Sequence, residues 1–244
     1  MSNSSAPPKI APASGKLGIL TPGLGAVATT FIAGVESIRR GLAKPIGSIT
    51  QTATIRLGKR TENRAPLIKD FVPLAGLNDI VFGAWDPIPD DALTAVRKAG
   101  VLEEKDVAPI ADFLATIKPM PAVFDNHYVT RIHGTNVKTG KTKRDLAEQL
   151  RQDIRDFKSK NKLDRVVIVW CASTEIFIKA GPQHATIEQF ERAMDNNDEA
   201  IAPSMLYAYA AIMENVPFAN GAPNLSADIP ALLQLAQQRG VPLS

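Results

Sequence analysis

The chain has 244 residues, 45% of them hydrophobic and 22% charged, a balance that excludes collagen-like, coiled-coil and disordered classes. At about 150 residues per domain, this length carries one to two domains with a core of ordinary size. The 28 Lys and Arg against 25 Asp and Glu leave only +3, so no basic face and no nucleic-acid partner are indicated, and the single Cys171 excludes an intrachain disulfide and a cysteine-built zinc site. One cysteine also fits a reducing cytoplasm.

Residues 1–15 (MSNSSAPPKIAPASG) are rich in Ser, Pro and Ala without apolar periodicity, and are predicted to form a flexible tail. Leu17–Val35 then runs 19 residues without a charge, the length of a membrane span. Pro22, the glycines at 18, 23, 25 and 34, and Thr21, Thr29 and Thr30 break it instead into a short strand, a glycine turn and a helix start, so no membrane segment is predicted.

From Lys16 onward, short apolar runs alternate with amphipathic segments of helical length, the pattern of a parallel sheet covered by helices. Strands are predicted at 17–20, 80–85, 121–124, 166–170 and 217–219. The clearest helix is 143–160, where Leu146, Leu150, Ile154 and Phe157 form one apolar stripe. Further helices are predicted at 27–40, 90–99, 108–117, 187–196, 204–214 and 229–239. Gly240 stops the last of these, and Val241-Pro242-Leu243 enters what reads as a further strand. The fold class is therefore α/β, a Rossmann-like parallel sheet flanked by helices over 16–244, with its continuation expected beyond the C-terminus.

Gly23-Leu24-Gly25-Ala26-Val27-Ala28 is a GxGxxA that follows an apolar strand and opens a helix. In such a turn the first glycine permits the tight bend, the second lets the backbone approach a pyrophosphate, and the third small residue allows the helix to pack close. The alternative is a small-residue turn that binds no nucleotide. The acid that would meet a ribose about 20 residues on is missing, since no carboxylate occurs between Glu36 and Glu62. Asp86 can replace it if the strand it ends lies beside the first, the residues between then being an insertion; equally, Asp86 before Pro87 can serve only a turn or helix cap.

The five cations between Arg56 and Lys69 read as a solvated loop, with phosphate contact as the alternative. Trp170-Cys171-Ala172-Ser173-Thr174-Glu175 closes a strand with small polar groups at a carboxyl edge suited to ligand contact, and Cys171 reads as a small core residue. Asn220 and Asn224 share a tight loop that can hydrogen-bond a polyol or carboxamide, or simply turn, and Ser226 or Asp228 can cap the helix that follows. His127, His133 and His184 lack ligand spacing, so no metal site is predicted.

Taken together, PGLGAVATTFIAGVE, FGAWD, VVIVWCASTE, APSMLYAYA and VPFANGAPNLSADIPALLQLA resemble bacterial-type inositol-3-phosphate synthases, also called myo-inositol-1-phosphate synthases, from Lys16 to Leu243. The resemblance implies NAD on a Rossmann-like domain and isomerisation of D-glucose 6-phosphate to 1D-myo-inositol 3-phosphate by oxidation, enolisation, intramolecular aldol cyclisation and reduction. Carried onto this chain, it places pyrophosphate on Gly23, Leu24, Gly25, Ala26 and Val27, and adenosine ribose on Asp86. Ser173, Thr174 and Ser204 would line the dinucleotide site, with Asn220, Asn224 and Asp228 toward nicotinamide and sugar. The segment 124–137 matches the family only loosely and receives no role. A divalent or monovalent cation is left open.

The resemblance further implies that the family's catalytic lysines and a second, tetramer-building domain follow Ser244, so the chain is expected to hold the cofactor half, to be inactive alone, and to be cytoplasmic. A stand-alone nucleotide-binding protein without catalysis is the alternative. An ordinary dehydrogenase is disfavoured, because Tyr207 and Tyr209 have no lysine four positions on.

Overall fold

The protein is described by a computed structural model covering residues 13–244, so most of the predicted N-terminal tail lies outside the described residues. In chain order the elements are β1 (Leu17–Pro22), α1 (Ala26–Arg39), α2 (Ile49–Thr52), α3 (Ile68–Phe71), β2 (Ile80–Trp85), α4 (Ala92–Ala99), α5 (Glu104–Val107), α6 (Ala111–Leu114), α7 (Lys143–Lys160), β3 (Arg165–Trp170), α8 (Ile187–Asp195), α9 (Pro203–Met213), β4 (Phe218–Asn220) and α10 (Pro230–Arg239). The four strands form one parallel sheet in the order β2-β1-β3-β4.

Helices cover both faces. On one side Ile19, Phe82 and Ala84 meet Ala28 and Ile32 of α1, Val96 of α4 and the residues Ile110 and Leu114. On the other, Leu20, Ile168 and Trp170 meet Leu150 and Ile154 of α7 and the whole of α9. Strands buried on both faces need apolar residues at nearly every position, which is why β1 shows no polar alternation. Every residue of α9 from Pro203 to Ile212 is buried, as an all-round apolar helix requires. Glycines let α7 approach: a Cβ at Gly18 or Gly83 would lie 2.7 Å from the Phe157 ring.

Two predicted elements are corrected. Residues 121–124 form no strand; Pro121 has no N–H to donate, and pairing there is limited to single bridges, Trp85 with Met120 and Ala122 with Val137. The helix predicted at 108–117 is a succession of single turns, a 3-10 turn at Ala108–Ile110 containing Pro109 followed by α6. The final residues do enter the sheet: Leu243 bridges Phe218 in parallel, and Ser244 donates its N–H to the Phe218 carbonyl at 3.1 Å.

The long connection 40–79 between α1 and β2 is the insertion that separates the glycine turn from Asp86. Within it Thr54 bridges Leu67 antiparallel, and Arg56, Lys59, Arg60, Arg64 and Lys69 are all exposed, as the solvated-loop reading expects. Arg39 fastens the returning end by donating to the carbonyls of Leu77 and Ile80.

Candidate functional site

The chain leaves β1 for α1 on one face of the sheet and leaves β3 for α8 and α9 on the other, so the connections part between β1 and β3. At such a switch point a crevice opens outside the carboxyl ends of the strands. A cavity of about 560 Å³ lies there, within the roughly 300–1,000 Å³ of small-molecule sites.

The glycine turn forms its floor. Gly23 has φ +87°, a left-handed conformation that a side chain disfavours, and a Cβ on it would lie 2.6 Å from the Ala172 Cα. Its N–H donates to the Trp85 carbonyl at 2.7 Å, while Cys171 donates to the Pro22 carbonyl at 3.0 Å, so the turn is pinned to both neighbouring strand ends. Gly25 is the N-cap of α1 and supplies no side-chain acceptor, so the first N–H groups of that helix face the cavity without an internal partner. A Cβ at Gly25 would meet nothing within 4 Å. The floor therefore offers unpaired donors, the positive end of a 14-residue helix and open space above them, which suits a pyrophosphate.

Asp86 follows β2 directly beside β1, the adjacency on which its sequence reading depended. One carboxylate oxygen accepts from Leu24 N–H at 2.6 Å and the other from Ile88 N–H at 2.8 Å. Burial raises its pKa above the ordinary carboxylate range, against the pull of those two N–H groups. The acid thus fixes the glycine turn itself while lining the cavity, and each oxygen keeps acceptor capacity.

Ser173 and Thr174 line the cavity beyond β3, both exposed. Ser204, by contrast, is fully buried and engaged: its N–H and hydroxyl both donate to the Glu175 carboxylate, at 2.9 and 2.5 Å. The Asn224 side-chain carbonyl accepts from Glu175 N–H at 3.0 Å. The Asn220 side chain bonds its own loop, accepting from Ala222 N–H and donating to the Asn224 carbonyl, and Asp228 is exposed and accepts from Ser226 N–H. The structure therefore brings the glycine turn, Asp86, Ser173 and Thr174 together on the cavity, and gives Ser204, Asn220, Asn224 and Asp228 partners within the protein.

Glu175 is the residue that sequence reasoning passes over. It is 7% exposed, lines the cavity, and caps the N-terminus of α9 by accepting from Ser204. Burial raises its pKa, with the Ser204 donors and Lys143 acting the other way. Its signal in the sequence is the acid that closes the WCASTE run. Tyr207 is equally hidden by its apolar helix: its ring makes edge contacts with Trp85 and Trp170 at 5.3 and 5.5 Å, and its hydroxyl accepts from Val123 N–H at 2.9 Å. Cys171 is half-buried, and burial raises its pKa, the state of an inert thiol. Among the described residues no cluster of His, Cys, Asp or Glu has the makings of a metal site, and no helix is long and apolar enough to cross a membrane.

Comparison with known proteins bears on the family and the fold. An NAD-binding family model described as myo-inositol-1-phosphate synthase matches residues 17–244. Inositol-3-phosphate synthase 1 of Bacteroides thetaiotaomicron is 54% identical over 238 residues, covering 97% of this chain and 55% of that protein. The Dictyostelium discoideum inositol-3-phosphate synthase is 35% identical, over 93% of this chain and 47% of its own length. The crystal structure of the Caenorhabditis elegans inositol-3-phosphate synthase superposes with a TM-score of 0.86 at 27% identity, over 93% of this chain and 48% of that one. The chain spans about half the length of these relatives. It belongs to the myo-inositol-1-phosphate synthase family and corresponds to the NAD-binding portion of it.

Proposed function

We propose that this chain supplies the cofactor half of an inositol-3-phosphate synthase, which isomerises D-glucose 6-phosphate to 1D-myo-inositol 3-phosphate in the cytoplasm as a homotetramer. The observation that carries the reading is the uncapped N-terminus of α1 beneath open space at Gly25, inside the cavity at the β1–β3 switch point. When bound, NAD supplies a hydride acceptor that is restored within each turnover. We take residues 16–244 as one NAD-binding domain, preceded by a tail at 1–15.

Within this proposal, backbone N–H groups of Gly25, Ala26 and Val27 hold pyrophosphate, and Gly23 and Leu24 shape the turn beneath it. Asp86 accepts from a ribose hydroxyl with the lone pairs left by Leu24 and Ile88. Ser173 and Thr174 offer hydroxyls along the β3 side of the cavity. Val129 and Ile132 give apolar walls for a flat ring, excluding water from it. Ser204, Asn220, Asn224 and Asp228 contribute by building the loops around the nicotinamide end, with Glu175 organising Ser204 and Asn224. The lysines for proton transfer are sought in the half of the relatives that this chain does not span.

The test is calorimetric titration of the chain with NAD, with Gly25→Val alongside. A side chain at Gly25 enters open space, so the variant keeps its fold while filling the cradle. Saturable binding by the wild type, weakened at least about tenfold in Gly25→Val, supports the reading; equal affinity of the two proteins refutes it. Inositol phosphate formation by the chain alone, assayed in parallel, would overturn the division of labour between the two halves.

A further inference from the structure

The connection 124–137, to which the sequence assigns no role, walls the cavity through Asp125, Val129 and Ile132. From Asp125 to His133 its side chains are exposed or half-buried except Tyr128, which is 2% exposed. Tyr128 is thus the fully buried anchor of this stretch, with the half-buried Val129 also packed against the core.

Tyr128 is gripped from several sides. Its hydroxyl donates to the Glu199 carbonyl at 2.7 Å, and its own carbonyl accepts from Ile176 N–H at 2.9 Å. Lys143 donates to the Tyr128 hydroxyl at 2.8 Å and to the carbonyls of Asp198 and Ile201, both at 2.7 Å. The ammonium also lies 5.2 Å from the Tyr128 ring centroid. All three ammonium donors are thus spent on neutral groups of the loop and of the α8–α9 connection.

Lys143 is the first residue of α7, where a cation opposes the helix dipole. Burial lowers its pKa, while Asp125, Asp198, Glu199 and Glu175 pull it upward. Two of those acids, Asp125 and Glu175, line the cavity. A half-buried ammonium in so costly a place is explained by what it fastens.

We propose that Lys143 is a positioning residue of the cofactor cavity, its ammonium clamping Tyr128 to the α8–α9 connection and so holding the Asp125–Ile132 wall in its binding position. This rests on the NAD reading given above.

The test compares wild type, Lys143→Met, Tyr128→Phe and the double variant as full chains. Each is titrated with NAD, its unfolding temperature is recorded, and tryptic cleavage after the exposed Arg131 is followed by mass spectrometry with and without NAD. Loss of charge-assisted bonds is expected to weaken NAD about tenfold or more, with faster cleavage at Arg131 and loss of its protection by NAD. The double variant should bind no worse than Lys143→Met, because both changes act through one wall. Unchanged cleavage, or faster cleavage with unchanged affinity, overturns the clamp. If Lys143→Met fails to fold, Tyr128→Phe decides, since it keeps the ring and removes only the hydroxyl. Failure of the wild type itself to bind NAD refutes the cofactor reading and the clamp with it, whereas a binding wild type with an equally binding variant refutes the clamp alone.

Discussion

Gly23 carries two requirements at once, a left-handed backbone and a 2.6 Å approach to the Ala172 Cα. The backbone alone costs an alanine about 1–2 kcal/mol, and the approach adds to it. Gly23→Ala is accordingly expected to lower the unfolding temperature by more than about 4 °C, measured by calorimetry, whereas Gly25→Val leaves it nearly unchanged. Glu175 lends itself to a pH test. Its carboxyl titrates above the ordinary 4.5 because it is buried. The folded chain therefore retains a proton that the unfolded chain has released, and this group withdraws stability as pH climbs from 4.5 through its raised value. Glu175→Gln removes that titration, so the difference in unfolding free energy between variant and wild type should shift in the variant's favour over this window and level off above it. A difference that stays flat from acid to neutral pH would show that Glu175 titrates normally.

Among the elements, α7 is the one most fully specified by local sequence. Thr142 accepts from Asp145 N–H at 3.1 Å and Asp145 accepts from Thr142 N–H in return, a capping box that starts the helix where the apolar stripe begins. Thr142→Ala should cost about 1 kcal/mol and lower the unfolding temperature by roughly 2–4 °C without changing NAD affinity; a loss of affinity would show that the start of α7 is coupled to the cavity beyond Lys143. The elements least legible in sequence are those without such signals. Residues 121–124 carry strand-like composition, yet only single bridges reach this stretch, because Pro121 cannot join a ladder. At 108–117 apolar spacing suggests one helix, and the backbone at Ile110, with φ −122° and ψ 11°, breaks it before α6.

At the scale of the molecule, a ligand bound only by the folded state stabilises it by mass action. NAD at a hundredfold its dissociation constant should add about 2.7 kcal/mol, raising the unfolding temperature by roughly 5–10 °C. The shift should fall to about half or less in Gly25→Val; an equal shift there would mean that NAD binds elsewhere. The cavity that this measures is assembled from distant parts of the chain: the turn after β1, the end of β2, the connection 124–137, and the segment after β3.

The sequence by itself determined the parallel α/β class, the glycine turn and the start of α7, since each rests on periodicity or on short-range backbone chemistry that neighbouring residues settle, and it carried the motifs whose resemblance pointed to the family. Tertiary structure alone decided which polar groups face the cavity and which face each other. Ser204 and Asn224 could not be assigned from sequence because their partner, Glu175, is separated from them by 29 and 49 residues. Lys143 and Tyr128 meet across 15 residues and a change of element. Hydrogen bonds of that kind follow from where the sheet order brings strand ends together, and a linear pattern carries no record of it.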